Sequence, residues 1–374
     1  MFDLLANATN PAVGIMIFMI GGLAGAIFYM PLKKVKDWAW ESYWMIYAVF
    51  GLLIVPWILA LTMSPNVIAV LKAAPNKELL YCVLCGAAWG FGGLTWGLMI
   101  RYLGVGLGLA LGCGICSAAG TLIPPMLKGG DAISTMFGTP SGIVSVIGAL
   151  VSVAGIVFVG MAGMSKENEL PEEEKKKAVA EFDFKKGMIA VLFSGLMSSA
   201  MSFGLQGGAE IEKLALITEP FTTVAWKGMP VLVVVLLGGF VVNAGWCLIL
   251  NIKNKSTGDY VKKGAPILPN LIFAGLAGTI WCSQFICFKT GEPQMGNTSY
   301  IGWAVLMASA ILFSQILGLF LGEWKGTSKK TMRLLGTGLV LLVLSAVVAG
   351  YSGHLGANDS ETPAEETPAV VVDA

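Results

Sequence analysis

Residues 86–125 read GAAWGFGGLTWGLMIRYLGVGLGLALGCGICSAAGTLIPP, and this stretch decides the fold. Its one charged residue, Arg101, separates two apolar halves, each close to the roughly 20 residues that cross a bilayer as a helix. The second half carries small residues at every fourth position, on one face of the predicted helix: Gly104, Gly108, Gly112, Cys116 and Gly120. In lipid, such a row lets another backbone approach closely, within one chain or in a dimer. We expect the other helices to pack around this face.

The rest of the chain has the composition of a membrane protein. Of its residues 56% are hydrophobic and 13% are charged, and its mean hydropathy is +0.76. Charged residues make up about a quarter of an ordinary soluble domain. The fold class is therefore predicted as all-α and polytopic, with ten transmembrane helices. Their expected bounds are 11–32, 43–63, 79–100, 102–126, 141–164, 187–209, 229–250, 267–288, 300–322 and 332–351.

The charges predict the topology. Connections after the odd-numbered helices hold 18 of the 24 Lys and Arg residues, and the opposite side holds 6. Because positive loops stay on the cytoplasmic side, both termini are predicted to lie outside. The first apolar run has no basic residue before it, so a cleavable signal peptide is not expected.

The longest polar connection divides the ten helices into two sets of five, which predicts two inverted repeats. Residues 1–164 form the first repeat, 165–186 a charged cytoplasmic connection, 187–352 the second repeat and 353–374 a disordered acidic tail. Gly195 in the sixth helix matches Gly22 in the first. The ninth helix carries a row of small residues at the same four-residue spacing as the row of the fourth: Ala310, Ser314, Gly318 and Gly322. Inverted repeats with a site between them are typical of secondary transporters.

The sequence lacks the motifs that several kinds of chemistry require. The sequence has no phosphate-binding loop, no zinc-protease motif and no nucleophile elbow, so neither an ATP-driven pump nor an enzyme is expected. Cys82-x-x-Cys85 and Cys113-x-x-Cys116 have zinc-like spacing, but they fall inside apolar helices without accompanying His or acidic residues. The sequence predicts no metal site, no disulfide and no cofactor. It also predicts no nucleic-acid partner.

Neutral polar and aromatic side chains at membrane depth are candidate ligand contacts. As a group they suit a neutral ligand with many hydroxyls, whose apolar ring face stacks on tryptophan. Hydrogen bonding between helices is the alternative for each of them. The predicted substrate-binding residues are Trp89, Trp96, Gln206, Asn243, Trp281 and Gln284, with Tyr29 and Tyr300 as aromatics at the rim.

Few ionisable residues fall near the spans. Glu41 opens the second helix within WAWESYW and is the predicted proton-coupling residue. An interfacial pair with Lys33, Lys34 or Lys36 is the alternative. Arg101 is expected to reach water from a helix end. Four residues at the outer mouth are expected to be solvated: Glu210, Glu212, Glu219 and Lys227.

Several blocks of the sequence resemble the L-rhamnose/proton symporter family of the drug/metabolite transporter superfamily. They are PLKKVKDWAWESYW (31–44), GAAWGFGGLTWGLMIRYLGVGLG (86–108), GTLIPPM (120–126), SSAMSF (198–203), GGFVVNAGWC (238–247), WCSQF (281–285), SYIGW (299–303) and EW (323–324). The resemblance implies ten helices in two inverted repeats and proton-driven uptake of a deoxysugar across a bacterial inner membrane.

Alternatives remain open at this point. Residues 290–298 and the region after Ala209 depart from the family pattern, so another neutral sugar is an alternative substrate. A transporter for a different class of solute would share the fold. A membrane sensor without transport activity is less favoured, because no connection is long enough for a signalling module.

Overall fold

The computed structural model describes residues 9–169 and 183–359. Residues 1–8, the middle of the charged connection (170–182) and most of the predicted acidic tail (360–374) lie outside the described part. The described residues form helices and turns without a strand. The long helices are α1 (Pro11–Ile27), α2 (Trp40–Met63), α3 (Asn76–Leu103), α4 (Ala110–Leu127), α5 (Pro140–Asn168), α6 (Phe184–Gln206), α7 (Met229–Lys253), α8 (Ile267–Gly291), α9 (Gly302–Phe320) and α10 (Lys329–Asp359).

Nine segments within this described part are long and apolar enough to cross a membrane. One of them, Ile267–Phe320, has 54 residues and contains both α8 and α9. A straight helix of that length would extend about 80 Å, far beyond the roughly 30 Å of hydrocarbon. The turn Glu292–Ile301 interrupts it, with Gly296 at a φ of 53°. The prediction of an all-helical, polytopic membrane protein is confirmed.

Shorter elements connect these helices at their ends. They are the helices Tyr29–Leu32, Val67–Ala73, Gly130–Gly138 and Ala209–Ile217, and the tight helical turns Val224–Trp226 and Ser256–Val261. Helix α10 continues to Asp359, beyond residue 351 where the sequence predicts its end, so residues 353–359 of the predicted tail are helical.

Side chains cap the starts of several long helices. The Asn10 carboxamide accepts a hydrogen bond from the Val13 N–H, and the Thr139 hydroxyl accepts one from Gly142 at 3.0 Å. These bonds satisfy N–H groups that have no partner within the helix. Asn10 and Thr139 precede Pro11 and Pro140, whose fixed φ suits the first helical position.

Helices α3 and α4 are joined by a reversal of the chain near Arg101, where the sequence predicts one. A Cβ on Gly108 would lie 3.0 Å from the carbonyl oxygen of Met99, nine residues earlier in the chain. In a straight helix, nine residues would separate these positions by about 13.5 Å. The two helices therefore run back along one another.

Side chains, more than backbone atoms, pack against the small-residue row of α4. A Cβ on Gly112 would lie 2.7 Å from the Met99 sulfur, and one on Gly120 would lie 2.3 Å from the Trp303 ring nitrogen. At both positions the bare face makes room for a large side chain, and at Gly112 a backbone also comes close, because a Cβ on Gly195 of α6 would lie 3.2 Å from the Gly112 carbonyl oxygen. The surroundings of Gly104 lie outside what the structure describes.

Close backbone contacts between long helices lie in two other places. A Cβ on Gly86 in α3 would fall 1.8 Å from the Val235 carbonyl oxygen of α7. In the second place, a Cβ on Gly278 in α8 would fall 2.3 Å from the Tyr47 carbonyl oxygen of α2. Close packing replaces the hydrophobic effect as the force between helices in lipid. These two glycine contacts therefore fix α3 on α7 and α8 on α2.

Gly86→Ala is expected to destabilise the protein strongly. Its methyl group would overlap backbone atoms of α7, and separating two packed helices costs about 3 kcal/mol or more. Gly93→Ala is the matched control, because Gly93 lies in the same helix and a Cβ there would meet no atom within 4 Å. Thermal unfolding of both purified variants in one detergent measures the difference. Equal melting temperatures would contradict the close contact of α3 with α7.

Candidate functional site

A cavity of about 550 Å³ lies between α1, α4, α5 and α9. Small residues form half of its wall, which leaves open space between the helices. Its polar groups are the Ser314 hydroxyl, the Gln315 amide and a charged set, Lys166, Glu167 and Glu323. The charged residues belong to the end of the bundle with the lysine-rich connections, named here the basic end. Cavities of about 300–1,000 Å³ are usual for small-molecule sites.

Polar contacts join α5 and α10 beside the mouth of this cavity. The Lys166 ammonium lies 4.9 Å from the centre of the Trp324 ring, which is within range of a cation–π interaction. Just past α5, the Glu169 carboxylate accepts hydrogen bonds from the Ser328 N–H at 2.7 Å and from the hydroxyls of Ser328 and Thr331. These bonds lower the pKa of Glu169, so that it stays ionised at neutral pH.

None of the eight predicted sugar-binding residues lines this cavity. Three of them come together elsewhere, between α2, α3, α7 and α8. The Trp89 and Trp281 rings lie 5.0 Å apart at 31°. The Asn243 amide oxygen accepts a hydrogen bond from the Trp44 ring at 3.1 Å. The Tyr47 ring joins these groups by contact with Trp281 at 5.9 Å. This aromatic cluster presents ring faces and one amide within the bundle.

Gln206 forms a hydrogen-bonded contact between α6 and α4. Its amide nitrogen donates to the Gly120 carbonyl at 3.3 Å and to the Ser202 hydroxyl at 2.7 Å, and that hydroxyl also donates to Gly120 at 2.6 Å. Pro124 explains the vacant carbonyl, because proline has no N–H to donate four residues back. Gln206 therefore joins two helices in this structure.

The other four predicted contacts are dispersed. The Trp96 ring donates to the Ser198 hydroxyl at 2.7 Å, and the Tyr300 hydroxyl lies 3.5 Å from the Gly142 carbonyl oxygen. Tyr29 is 44% exposed. Gln284 lies behind the cavity wall, because its amide oxygen is 2.9 Å from the position of a Cβ on the wall residue Gly25. The sugar-binding roles of all eight residues stay predictions.

Glu41 is buried at the basic end, with 5% of its surface exposed. Both of its hydrogen bonds reach the same carboxylate oxygen, Oε1, from Asn254 at 2.9 Å and from Ser256 at 2.6 Å. Among the described residues, no ion pair joins Glu41 to a lysine. The alternative of an interfacial pair with the nearby lysines is therefore not what this structure contains.

The opposite end holds a buried charge cluster. The Lys289 ammonium, 2% exposed, contacts Glu212 at 2.5 Å, Glu292, and the Leu205 carbonyl oxygen at 2.9 Å. Lys227 contacts the other oxygen of Glu212 at 3.1 Å. This charge cluster, Lys289, Glu212, Glu292 and Lys227, joins the ends of α6 and α8 to Ala209–Ile217 and the turn after α8.

The prediction that Glu212 is solvated at the outer mouth is wrong, because its side chain is largely buried against Lys289. The sequence reasoning missed Lys289 as a buried residue, because the eighth predicted helix ends at residue 288. Helix α8 continues to Gly291 and carries the lysine inside. A lysine directly following an apolar span does not by itself identify such a residue, because Lys33 follows the first predicted span in the same way and is exposed.

Nine membrane-spanning candidates, a solute-sized cavity and buried charges define a polytopic membrane transport protein. A family model described as L-rhamnose-proton symport protein (RhaT) matches residues 6–354, and the chain belongs to this family, a family of transporters and not of enzymes. An L-rhamnose-proton symporter of Pectobacterium atrosepticum is 33% identical over 347 residues, which cover 91% of this chain and 98% of the relative. One from Cronobacter sakazakii is 31% identical over 352 residues, covering 92% and 98%.

Proposed function

We propose that the protein imports L-rhamnose, or a closely related 6-deoxy sugar, together with a proton. The observation that carries this proposal is the solute-sized cavity between α1, α4, α5 and α9 in a member of a rhamnose-proton symport family. Apart from the charged set Lys166, Glu167 and Glu323 at its basic end, the cavity combines a hydroxyl and an amide with small apolar residues, which suits a neutral solute. A nucleotide sugar would instead need several basic residues in the cavity.

The proposed architecture is ten transmembrane helices in two inverted repeats of five. Its support is that equivalent helices have equivalent partners. Helix α1 packs against α8 and α9, just as α6 packs against α3 and α4. Gly22 of α1 lies against Ala310 of α9, and Gly195 of α6 lies against Gly112 and Ile115 of α4. Gly22 and Gly195 are the glycines that the sequence comparison pairs.

The proposed cycle is alternating access. The cavity reaches the basic end, which the lysine distribution assigns to the cytoplasm of a bacterial inner membrane, with both termini outside. At the other end, the charge cluster draws helix ends together. This arrangement corresponds to an inward-open state, and opening to the outside requires the cluster to separate.

The proposed roles of individual residues follow from the sequence. Glu41 carries the coupling proton; its buried carboxylate accepts hydrogen bonds from Asn254 and Ser256 and forms no ion pair among the described residues. The aromatic cluster supplies ring faces for the sugar when the helices rearrange, and Gln284 supplies an amide behind Gly25.

Cys113 provides the test, because it is the one cysteine among the residues that line the cavity. In a transport-active variant that retains Cys113 alone, a maleimide is expected to label this thiol from the basic end. L-rhamnose at about ten times its Kd is expected to slow labelling about tenfold, since a bound sugar excludes the reagent. Mass spectrometry of the labelled protein measures the rate.

L-mannose is the control sugar for this labelling, because it differs from L-rhamnose only by the hydroxyl on carbon 6. Equal protection by both sugars would contradict specificity for a 6-deoxy sugar. An unchanged labelling rate at saturating L-rhamnose would contradict a sugar site in this cavity.

A further inference from the structure

Two hydroxyls in α4, those of Ser117 and Thr121, are buried without a hydrogen-bond partner among the residues that the structure describes. Their residues are 1% and 0% exposed. Other buried hydroxyls in these helices are paired, as Ser199 is with the Leu196 carbonyl at 2.7 Å. An unpaired polar group inside a protein carries a desolvation cost, so each such group in a native structure requires an explanation.

Both hydroxyls continue one wall of the cavity. Cys113 lines the cavity and packs against the hydrophobic cluster that contains Ile156 of α5 and Leu312 of α9. Ser117 and Thr121 follow Cys113 by four and eight residues, so they lie on the same helix face, about 6 and 12 Å farther from the basic end. They therefore lie on the path between the cavity and the charge cluster.

Facing helices add further polar groups at this level. Ser152 of α5 lies one turn from Ile156, and its hydroxyl makes only a long contact of 3.5 Å with the Ala304 carbonyl of α9. Pro125 has no N–H to donate to the Thr121 carbonyl, which loses its usual helical partner. This region thus offers several neutral donors and acceptors, which suit a neutral polyhydroxylated ligand.

We propose that Ser117 and Thr121 bind hydroxyl groups of the sugar when it has moved beyond the cavity toward the opposite end. The proposal rests on the proposed transport of a 6-deoxy sugar and deepens it by naming a second contact region. In the inward-open state, α5 and α9 close over these hydroxyls. When the two helices separate from α4, the sugar supplies the hydrogen-bonding partner that these hydroxyls lack in the inward-open state.

The test replaces each hydroxyl by a group of similar size, in Ser117→Ala and Thr121→Val. Neither variant loses a hydrogen bond in the inward-open state, so melting temperatures are expected to be unchanged or slightly higher. The KM for L-rhamnose is expected to rise about 3- to 10-fold in each variant, corresponding to one neutral hydrogen bond. Ser199→Ala, equally buried but paired with its own helix, is the matched control and should leave KM unchanged.

Deoxy analogues of L-rhamnose, each lacking one hydroxyl, make the assignment specific. The analogue without the contacting hydroxyl is expected to bind wild-type protein more weakly, but to bind Ser117→Ala or Thr121→Val no more weakly than L-rhamnose does. Thr121→Ser, which keeps a hydroxyl, is expected to bind L-rhamnose more tightly than Thr121→Val.

Unchanged KM values in both variants, with wild-type transport intact, would overturn the assignment of these hydroxyls alone. Absence of L-rhamnose transport by folded wild-type protein would overturn the proposed function itself. A fall in melting temperature similar to that of a core substitution would also overturn the assignment, because it would mean that the hydroxyls are paired in the resting state.

Discussion

Lys289→Met is expected to destabilise the protein by about 3–5 kcal/mol, the usual cost of leaving a buried charge without its partner. In the native structure the Lys289 ammonium contacts both Glu212 and Glu292, and Glu212 keeps Lys227 when the ammonium is removed. Glu292 would then be the stranded carboxylate. Thermal unfolding in detergent is expected to register a large fall in melting temperature.

A second substitution identifies the cause of that fall. Lys289→Met combined with Glu292→Gln removes one charge of each sign and leaves the Lys227–Glu212 pair, so the double variant is expected to be more stable than Lys289→Met alone. Lys213→Met is the control, since Lys213 is 66% exposed and pairs weakly with Glu210 at 3.7 Å. A double variant no more stable than the single one would refute the pairing of Lys289 with Glu292.

Glu41→Gln is expected to abolish uphill accumulation of sugar while preserving sugar exchange. Glutamine keeps an amide oxygen, and both hydrogen bonds of Glu41 reach a single oxygen, so the fold is expected to survive the change. The variant cannot gain or lose a proton, and sugar movement would no longer be tied to the proton gradient. Accumulation and exchange of labelled sugar are measured in the same liposomes.

Glu78→Gln is the matched control for this experiment. Glu78 also accepts its hydrogen bonds at one carboxylate oxygen, from the N–H groups of Glu210 and Ile211, but it lies at the opposite end of the bundle. It is expected to accumulate sugar normally. Full accumulation by Glu41→Gln would remove Glu41 from the coupling mechanism.

The helical fold was accessible from sequence because lipid imposes simple rules. A run of about 20 apolar residues must form a helix, since its backbone has no water to bond with. The predicted second helix begins at residue 43, whereas α2 begins at Trp40, and the difference reflects a polar first turn that includes the buried Glu41. Such ends depend on tertiary contacts that apolar composition does not contain.

The candidate site was harder to predict from the sequence than the fold. Sequence reasoning selected amides and tryptophans at membrane depth, but it could not distinguish a ligand contact from a bond between helices. Gln206 makes bonds to α4 because Pro124 vacates a carbonyl there. The partners of Lys289 lie 77 residues before it and 3 residues after it in the chain, so their convergence arises from the fold.

Uptake of labelled L-rhamnose into liposomes containing the purified protein tests the central claim most directly. With an imposed inward proton gradient, L-rhamnose is expected to accumulate above its external concentration, and a protonophore is expected to abolish the excess. Without the gradient, the sugar should only equilibrate. Equilibration that the gradient does not alter would contradict proton coupling, and no uptake by folded protein would contradict rhamnose transport.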